Sequence, residues 1–178
     1  DSFLLLFVSL RLSGAKYDTI SRMEKPDVIY EDGNLLALNK PAGVVVHRDL
    51  THTSGTIVDW LLENRSEIKM VGEDPERPGI VHRLDKGTSG VMLVARTRES
   101  FEALKQLFKG RKVTKTYLAL VAGIPSPAAA LIDAPIGRHA QQRTTMSIYQ
   151  ATASRSAKTT YRTLGKSEGI ALLSCVLH

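Results

Sequence analysis

Apolar and polar residues alternate with a period of two in several stretches and recur with a helical period in two others, and their order predicts the elements. Val28 to Glu31 and Asn34 to Lys40 flank Asp32-Gly33, a dipeptide favoured in two-residue turns, which predicts a β-hairpin. Ile57, Trp60 and Leu61 fall at i, i+3 and i+4 and predict a short amphipathic helix from Thr56 to Glu63. A second helix is expected from Thr97, a natural N-cap, to Lys109, burying Phe101, Leu104, Leu107 and Phe108, with Gly110 as its stop and a basic last turn that suits the helix dipole. Gly79 to Val81 and Val91 to Ala95 read as strand-length runs on either side of a polar loop. In Val113 to Val121 the alternation puts Val113, Lys115, Tyr117 and Ala119 on one face and Thr114, Thr116, Leu118 and Leu120 on the other. The final third reads as strands, Ala157 to Leu164 and Ile170 to Leu177, joined by Gly165 to Gly169. Strands with two intervening helices and no regular βαβ alternation predict an α+β fold on a mixed, mainly antiparallel sheet with flanking helices.

The length of 178 residues favours one domain, and 43% hydrophobic with 24% charged residues suits a globular chain. Residues 1–27 read as an N-terminal extension and 28–178 as the domain. The apolar run Phe3 to Leu10 is too short to span a bilayer and lacks the cationic flank of a secretory signal, so it is either a core strand or a stretch foreign to the domain. The chain begins with Asp1, carries Met23 as a possible start, and ends at His178 in what reads as an unfinished strand, the pattern of a fragment. Lone Cys175 excludes an internal disulfide and a structural zinc site, which sets a reducing, cytoplasmic expectation. No membrane partner is expected, and a monomer is.

A net charge of +6 suits a polyanionic partner, and the cations cluster at Lys109, Arg111, Lys112 and Lys115, at Arg138 and Arg143, and at Arg155, Lys158 and Arg162, with Tyr117 and Tyr161 interleaved. Such clusters also occur as plain solvated faces. The histidines at 47, 52, 82, 139 and 178 show no paired metal spacing, so a satisfied structural or RNA-facing role is expected of them rather than zinc binding, and with no phosphate-binding Walker loop or dinucleotide glycine fingerprint no nucleotide cofactor is expected.

The loop His82-Arg83-Leu84-Asp85-Lys86-Gly87-Thr88-Ser89-Gly90 holds a carboxylate between two cations. Nearby positive charge favours an ionised carboxylate, which can act as nucleophile or base; the alternative for Asp85 is a surface residue paired with arginine and capping a turn. A Ser89–His82–Asp85 triad is disfavoured because three members of one short loop rarely reach hydrogen-bond geometry together. Tyr117 is either a packing residue on a strand or an aromatic platform.

Asn39-Lys40-Pro41-Ala42-Gly43-Val44-Val45-Val46-His47, then His82-Arg83-Leu84-Asp85 with Thr88-Ser89-Gly90, then Lys115-Thr116-Tyr117 resemble in order the signature segments of the RluA-type pseudouridine synthases, from about Val28 to the end of the chain. The resemblance implies a pseudouridine synthase catalytic domain that isomerises uridines in structured ribosomal or transfer RNA without cofactor or metal: the bond from ribose to the base nitrogen is cut, the base turned, and the bond remade through carbon five. Matched position by position, Asp85 resembles the catalytic aspartate, Tyr117 the aromatic residue against the target base, and Arg83 the arginine that occupies the space left by the extruded uridine. A stacked uridine has to be flipped out before its glycosidic bond is reached, which fits a platform beside a nucleophile. His82, Lys86, Thr88, Lys115, Arg138, Arg143 and Lys158 are the expected RNA contacts, largely to the backbone.

Two departures from the family pattern follow. Only 27 residues precede the hairpin, too few for the ribosomal-protein-like RNA-binding domain of many relatives. The pattern also continues, after the segment that ends here at His178, with a Gly-Arg-Thr-His-Gln stretch whose arginine pairs with the aspartate. The domain is therefore expected to be partial, and a non-catalytic RNA-binding fragment is the alternative reading.

Overall fold

The computed structural model describes residues 25–142 and 145–178, together with the main chain of 3–10. Its strands are β1 (Phe3–Leu10), β2 (Asp27–Glu31), β3 (Leu35–Lys40), β4 (Thr88–Ala95), β5 (Val113–Ala122), β6 (Ala129–Asp133), β7 (Ile136–His139), β8 (Met146–Ser147), β9 (Ala151–Arg155), β10 (Lys158–Ser167) and β11 (Ile170–Leu177). Helices α1 (Ile57–Asn64) and α2 (Arg98–Lys109) and a 3-10 turn at Ser66–Met70 complete the list. An eight-stranded sheet runs β2-β3-β4-β1-β5-β11-β10-β6, and a smaller one runs β8-β7-β9. Among the described residues all strand pairings are antiparallel except β1 with β5, so the fold is α+β with a mixed, mainly antiparallel sheet. The apolar run Phe3–Leu10 lies in that sheet, antiparallel to the start of β4 and parallel to β5.

Both helices begin where their caps dictate. Thr56 accepts from the Asp59 N–H at 3.2 Å while the Asp59 carboxylate accepts from the Thr56 N–H at 3.0 Å, a reciprocal capping box. Thr97 and Ser100 repeat the arrangement at the head of α2.

Strands β3 and β4 are covered on both faces. In register, Leu36 opposes Val94 and Leu38 opposes Met92, and these four pack with Ile57, Trp60 and Leu61 of α1 and with Ile68, Val71 and Phe101. The opposite face places Ala37 and Leu93 with Leu84, Val113 and the half-buried Leu104, Leu107 and Phe108 of α2. Burial of this kind is worth about 1.5–3 kcal/mol for each large side chain. An ion-pair network ties the hairpin to the end of α1: Glu31 meets Arg65 at 2.7 Å and Arg96 at 3.0 Å, and Arg96 reaches Glu67 at 2.8 Å.

Three expectations require correction. The turn at Asp32-Gly33 is not a two-residue turn. Three residues link β2 to β3, neither Asp32 nor Gly33 has left-handed φ, and the Asp32 carboxylate caps the bend by accepting from the N–H groups of Asn34 (2.8 Å) and Leu35 (2.7 Å). Gly79 to Val81 is not a strand. Gly79 takes φ +71° so that its N–H can reach the Val71 carbonyl (2.7 Å), and only a single bridge joins Ile80 to Val94. The loop from Gly165 to Gly169 is absorbed into β10, with a register shift between Thr163 and Gly165; the turn is Glu168-Gly169, both at positive φ, as a two-residue hairpin turn requires.

Candidate active site around Asp85

Asp85 stands at the foot of β4. The strand begins at Thr88, so the polar loop joins coil to strand, and Thr88, Ser89 and Gly90 belong to β4 itself. A turn closes the loop, with the Thr88 N–H donating to the Asp85 carbonyl at 3.0 Å. Leu84, only 3% exposed, plugs the loop into the core beside Ala37 and Leu93, and its neighbour Asp85 is left exposed.

Beneath the loop lies Lys40, fully buried. Its Nζ donates to the carbonyls of Val44 (2.7 Å), Pro41 (2.9 Å) and Lys86 (3.4 Å), and the Gly43 N–H also donates to the Lys86 carbonyl at 2.7 Å. Lys40 thus stitches the turn after β3 to the loop that carries Asp85. Burial pushes its ammonium group down to about 8, against the negative charge of Asp85, which favours the cation.

Tyr117, on β5, is half-buried among the side chains beside Leu84 and Val113. Burial first and the charge of Asp85 second raise its pKa, so the phenol stays protonated across the neutral range. Asp85, in the loop before β4, and Tyr117, on β5, therefore share one electrostatic environment.

The flanking cations are held from the segment between β3 and α1. Arg83 Nη1 lies 3.0 Å from His47 Nε2, and Lys86 Nζ lies 3.0 Å from His52 Nε2. His82 is placed differently from the expected RNA contact. Its Nε2 accepts from the Leu93 N–H at 2.9 Å and its ring stacks on Phe108 at 4.4 Å, while burial, and then the charge of Lys115, lower its pKa to about 4. Such a ring is neutral at physiological pH and pins the start of the loop to β4 and α2. With Nε2 accepting from a main-chain amide, that atom cannot act as base for Ser89.

Of the other expected RNA contacts, Thr88 opens β4 and Lys115 lies on β5 close enough to act on His82. Arg138 lies on β7 of the small sheet. Lys158 pairs with Asp133 at 2.6 Å across β10 and β6. Arg143 lies outside the described residues. Lys40, His47 and His52 were not singled out as site residues from the sequence. Lys40 and His47 had a signal, since both lie in the Asn39–His47 segment that resembles the family's first motif, and Leu36, Leu38 and Lys40 also share one inward-facing side of β3; His52 had none, lying 34 residues from its partner. Among the described residues no group of three or more His, Cys, Asp or Glu could hold a metal ion, and no helix is long and apolar enough to cross a membrane.

Residues 34–178 match the RNA pseudouridylate synthase family. The chain is 35% identical over 161 residues to an uncharacterised RNA pseudouridine synthase (YlyB) of Bacillus subtilis, covering 90% of this chain and 52% of that protein. It is 42% identical over 125 residues to ribosomal large subunit pseudouridine synthase D of Pseudomonas aeruginosa, covering 70% of this chain and 38% of that protein. The chain thus spans about half or less of the length of these relatives. Among solved structures, human RNA pseudouridylate synthase domain containing 4 matches with a TM-score of 0.63 and 29% identity, over 84% of this chain and 58% of that one. Human RNA pseudouridylate synthase domain containing 1 shares the fold, with a TM-score of 0.70 at 22% identity, over 88% of this chain and 60% of that one.

Proposed function

We propose that this chain, which belongs to the RNA pseudouridylate synthase family, carries the site that isomerises uridine to pseudouridine in a structured RNA, with Asp85 as the reacting carboxylate. The observation that carries the reading is the placing of Asp85: an exposed carboxylate beside a core-anchored Leu84, acting electrostatically on the phenol of Tyr117 and on the buried ammonium of Lys40.

In this reading the target uridine leaves its stack and lies against Tyr117, whose half-buried ring offers a fixed platform. Arg83 enters the space the base has left. Asp85 then drives the break between C1′ and the base nitrogen, either by attack, forming an Asp85–C1′ bond that breaks again when C1′ bonds to carbon five, or by assisting removal of a ribose proton that is returned when C1′ bonds to carbon five; the base turns between the two steps, carbon five gives up its proton, and the base nitrogen takes one up. Atoms and charge balance without a co-reactant. Ribosomal RNA is the favoured substrate over transfer RNA, because relatives such as the Pseudomonas aeruginosa protein are named for the large ribosomal subunit. Lys86 and Thr88 in the loop, Lys115 on β5 and Arg138 on β7 are the proposed backbone contacts.

The test is to incubate the full-length protein with pooled ribosomal and transfer RNA and map new pseudouridines, beside Asp85→Asn. Modification by the parent and none by the variant is expected. Equal modification by both would remove Asp85 from the chemistry. Salt-sensitive RNA binding without modification by either would leave a non-catalytic RNA-binding role, and activity lost in Ser89→Ala but kept in Asp85→Asn would point to a hydrolase.

A further inference from the structure

The small sheet carries an irregularity that decides where its cations point. Arg138 of β7 lies opposite Thr152 of β9 and Ile136 lies opposite Arg155, so two steps along β7 answer three along β9. The extra residue makes a β-bulge around Ala153, whose φ of +50° is left-handed although it is not a glycine. Room for the bulge comes from β7. A Cβ on Gly137 would lie 2.6 Å from the Thr152 carbonyl oxygen and 2.9 Å from Ser154 Oγ, atoms on either side of Ala153.

Directly opposed residues of antiparallel strands project to the same side. Arg138 therefore shares a face with Thr152 and Met146, and Ile136, two places back on the same strand, adds Arg155 to it. All five side chains are exposed, whereas Gly137, His139, Ser147 and Ala151 on the reverse side are buried or half-buried. In a strand with no extra residue, Arg155 would stand three places from Thr152 and point to that covered side. The bulge thus sets both arginines on one solvent-facing surface, diagonal neighbours about 7–8 Å apart at the backbone.

The surrounding chain favours an anion. From Ala134 to Ser167 the sequence has no Asp or Glu, while it carries Arg138, Arg143, Arg155, Lys158, Arg162 and Lys166. Asp133, at the border of this stretch, is taken by Lys158 at 2.6 Å. Guanidinium forks hold phosphate oxygens two at a time, and a pair on one surface fits neighbouring phosphates of a single strand.

We infer that this face of the small sheet grips the phosphate backbone of the RNA, with Arg155 brought beside Arg138 by the bulge that Gly137 admits. The inference rests on the reading of RNA as the substrate, and it assigns the face to affinity rather than to the chemical step.

Salt titration of binding by the full-length protein tests this, with a transcript of large-subunit ribosomal RNA as the probe. Arg138→Gln and Arg155→Gln should each make the fall of log affinity with log salt shallower by about 0.7–0.9, the share of one phosphate contact, whatever the RNA sequence. Lys69→Gln, which removes an exposed cation of the 3-10 turn, should leave the slope unchanged. Gly137→Ala should act as Arg155→Gln does although the arginine is still present. Deleting Ala153 in that background should restore the slope, because a regular β9 keeps Arg155 opposite Ile136 and has no need of glycine. Parent slopes in both arginine variants, beside modification that is lost in Asp85→Asn, overturn the grip alone, as does a loss of affinity confined to phosphatidylserine vesicles. A parent that binds no RNA overturns the grip and the RNA reading together.

Discussion

Replacing Lys40 by methionine keeps the length of the side chain and removes its charge and its donors. The two short bonds, to Val44 and Pro41, are the ones that matter, because the Lys86 carbonyl keeps the Gly43 N–H. The buried Val44 carbonyl and the part-buried Pro41 carbonyl, left without that partner, together cost about 4 kcal/mol at most. Against that, a folded-state pKa of about 8 against 10.5 unfolded means that holding the charge costs the folded protein about 3 kcal/mol at neutral pH. The net loss at pH 7 is thus only about 1 kcal/mol.

The sign of the pH dependence follows from the protons bound. Between about pH 8 and 10.5 the unfolded chain carries more protons at this position than the folded one, so the parent gains stability as pH rises, and the methionine variant, with nothing to titrate, does not. The gap should widen to about 3 kcal/mol by pH 10. Urea denaturation followed by fluorescence of Trp60, the single tryptophan and part of the core beside α1, measures it at pH 7, 8, 9 and 10. A difference between parent and variant that stays constant within about 0.5 kcal/mol across that range would refute the argument, because it would mean that Lys40 folds with its ordinary affinity for protons.

Other perturbations have equally direct readouts. His82, held at about 4 against 6.5 unfolded, should make the parent lose up to about 3 kcal/mol as pH falls from 6.5 to 4, and His82→Gln should flatten that slope in acid denaturation. Gly79→Ala should cost about 3 kcal/mol or more, because its Cβ would lie 2.6 Å from the Ala95 carbonyl at φ +71°. Gly33→Ala, with nothing within 4 Å and no left-handed φ, should change the urea midpoint by less than the equivalent of about 0.5 kcal/mol. Arg96→Met removes the cation shared by Glu31 and Glu67 and the bond to the Asp32 carbonyl, a loss of about 1 kcal/mol that should shrink in high salt.

Much of the scaffold was legible because it is dictated locally. Thr56 and Thr97 mark the helix starts through their own side chains, and the alternation in Val113–Ala122 placed Lys115 and Tyr117 on one side of β5. Three ordered motifs likewise pointed to the family that residues 34–178 match. What failed was decided by distant partners or by single dihedral angles. Gly79-Ile80-Val81 has the composition of a strand, but the φ of Gly79 and its bond to Val71 turn it into a crossing segment. His82 could be read from the sequence as a structural or an RNA-facing ring, and its partners, Leu93 eleven residues on and Phe108 of α2, are visible only in the fold. His47 and His52 could not be matched to Arg83 and Lys86 by spacing, since only the docking of the segment before α1 brings them together.

The double-sided cover of β3 and β4 has a kinetic corollary. Amide hydrogens of Leu36, Leu38, Met92 and Val94 should be among the last to exchange with heavy water, since freeing them requires both layers to part. The small sheet, whose strands leave Ile136 and Met146 in solvent, should exchange far sooner. Asp85 is rooted in the slowest part of the molecule, so its surroundings can outlast the opening of the periphery, and a ligand that finds the outer strands loosened would still meet the same loop.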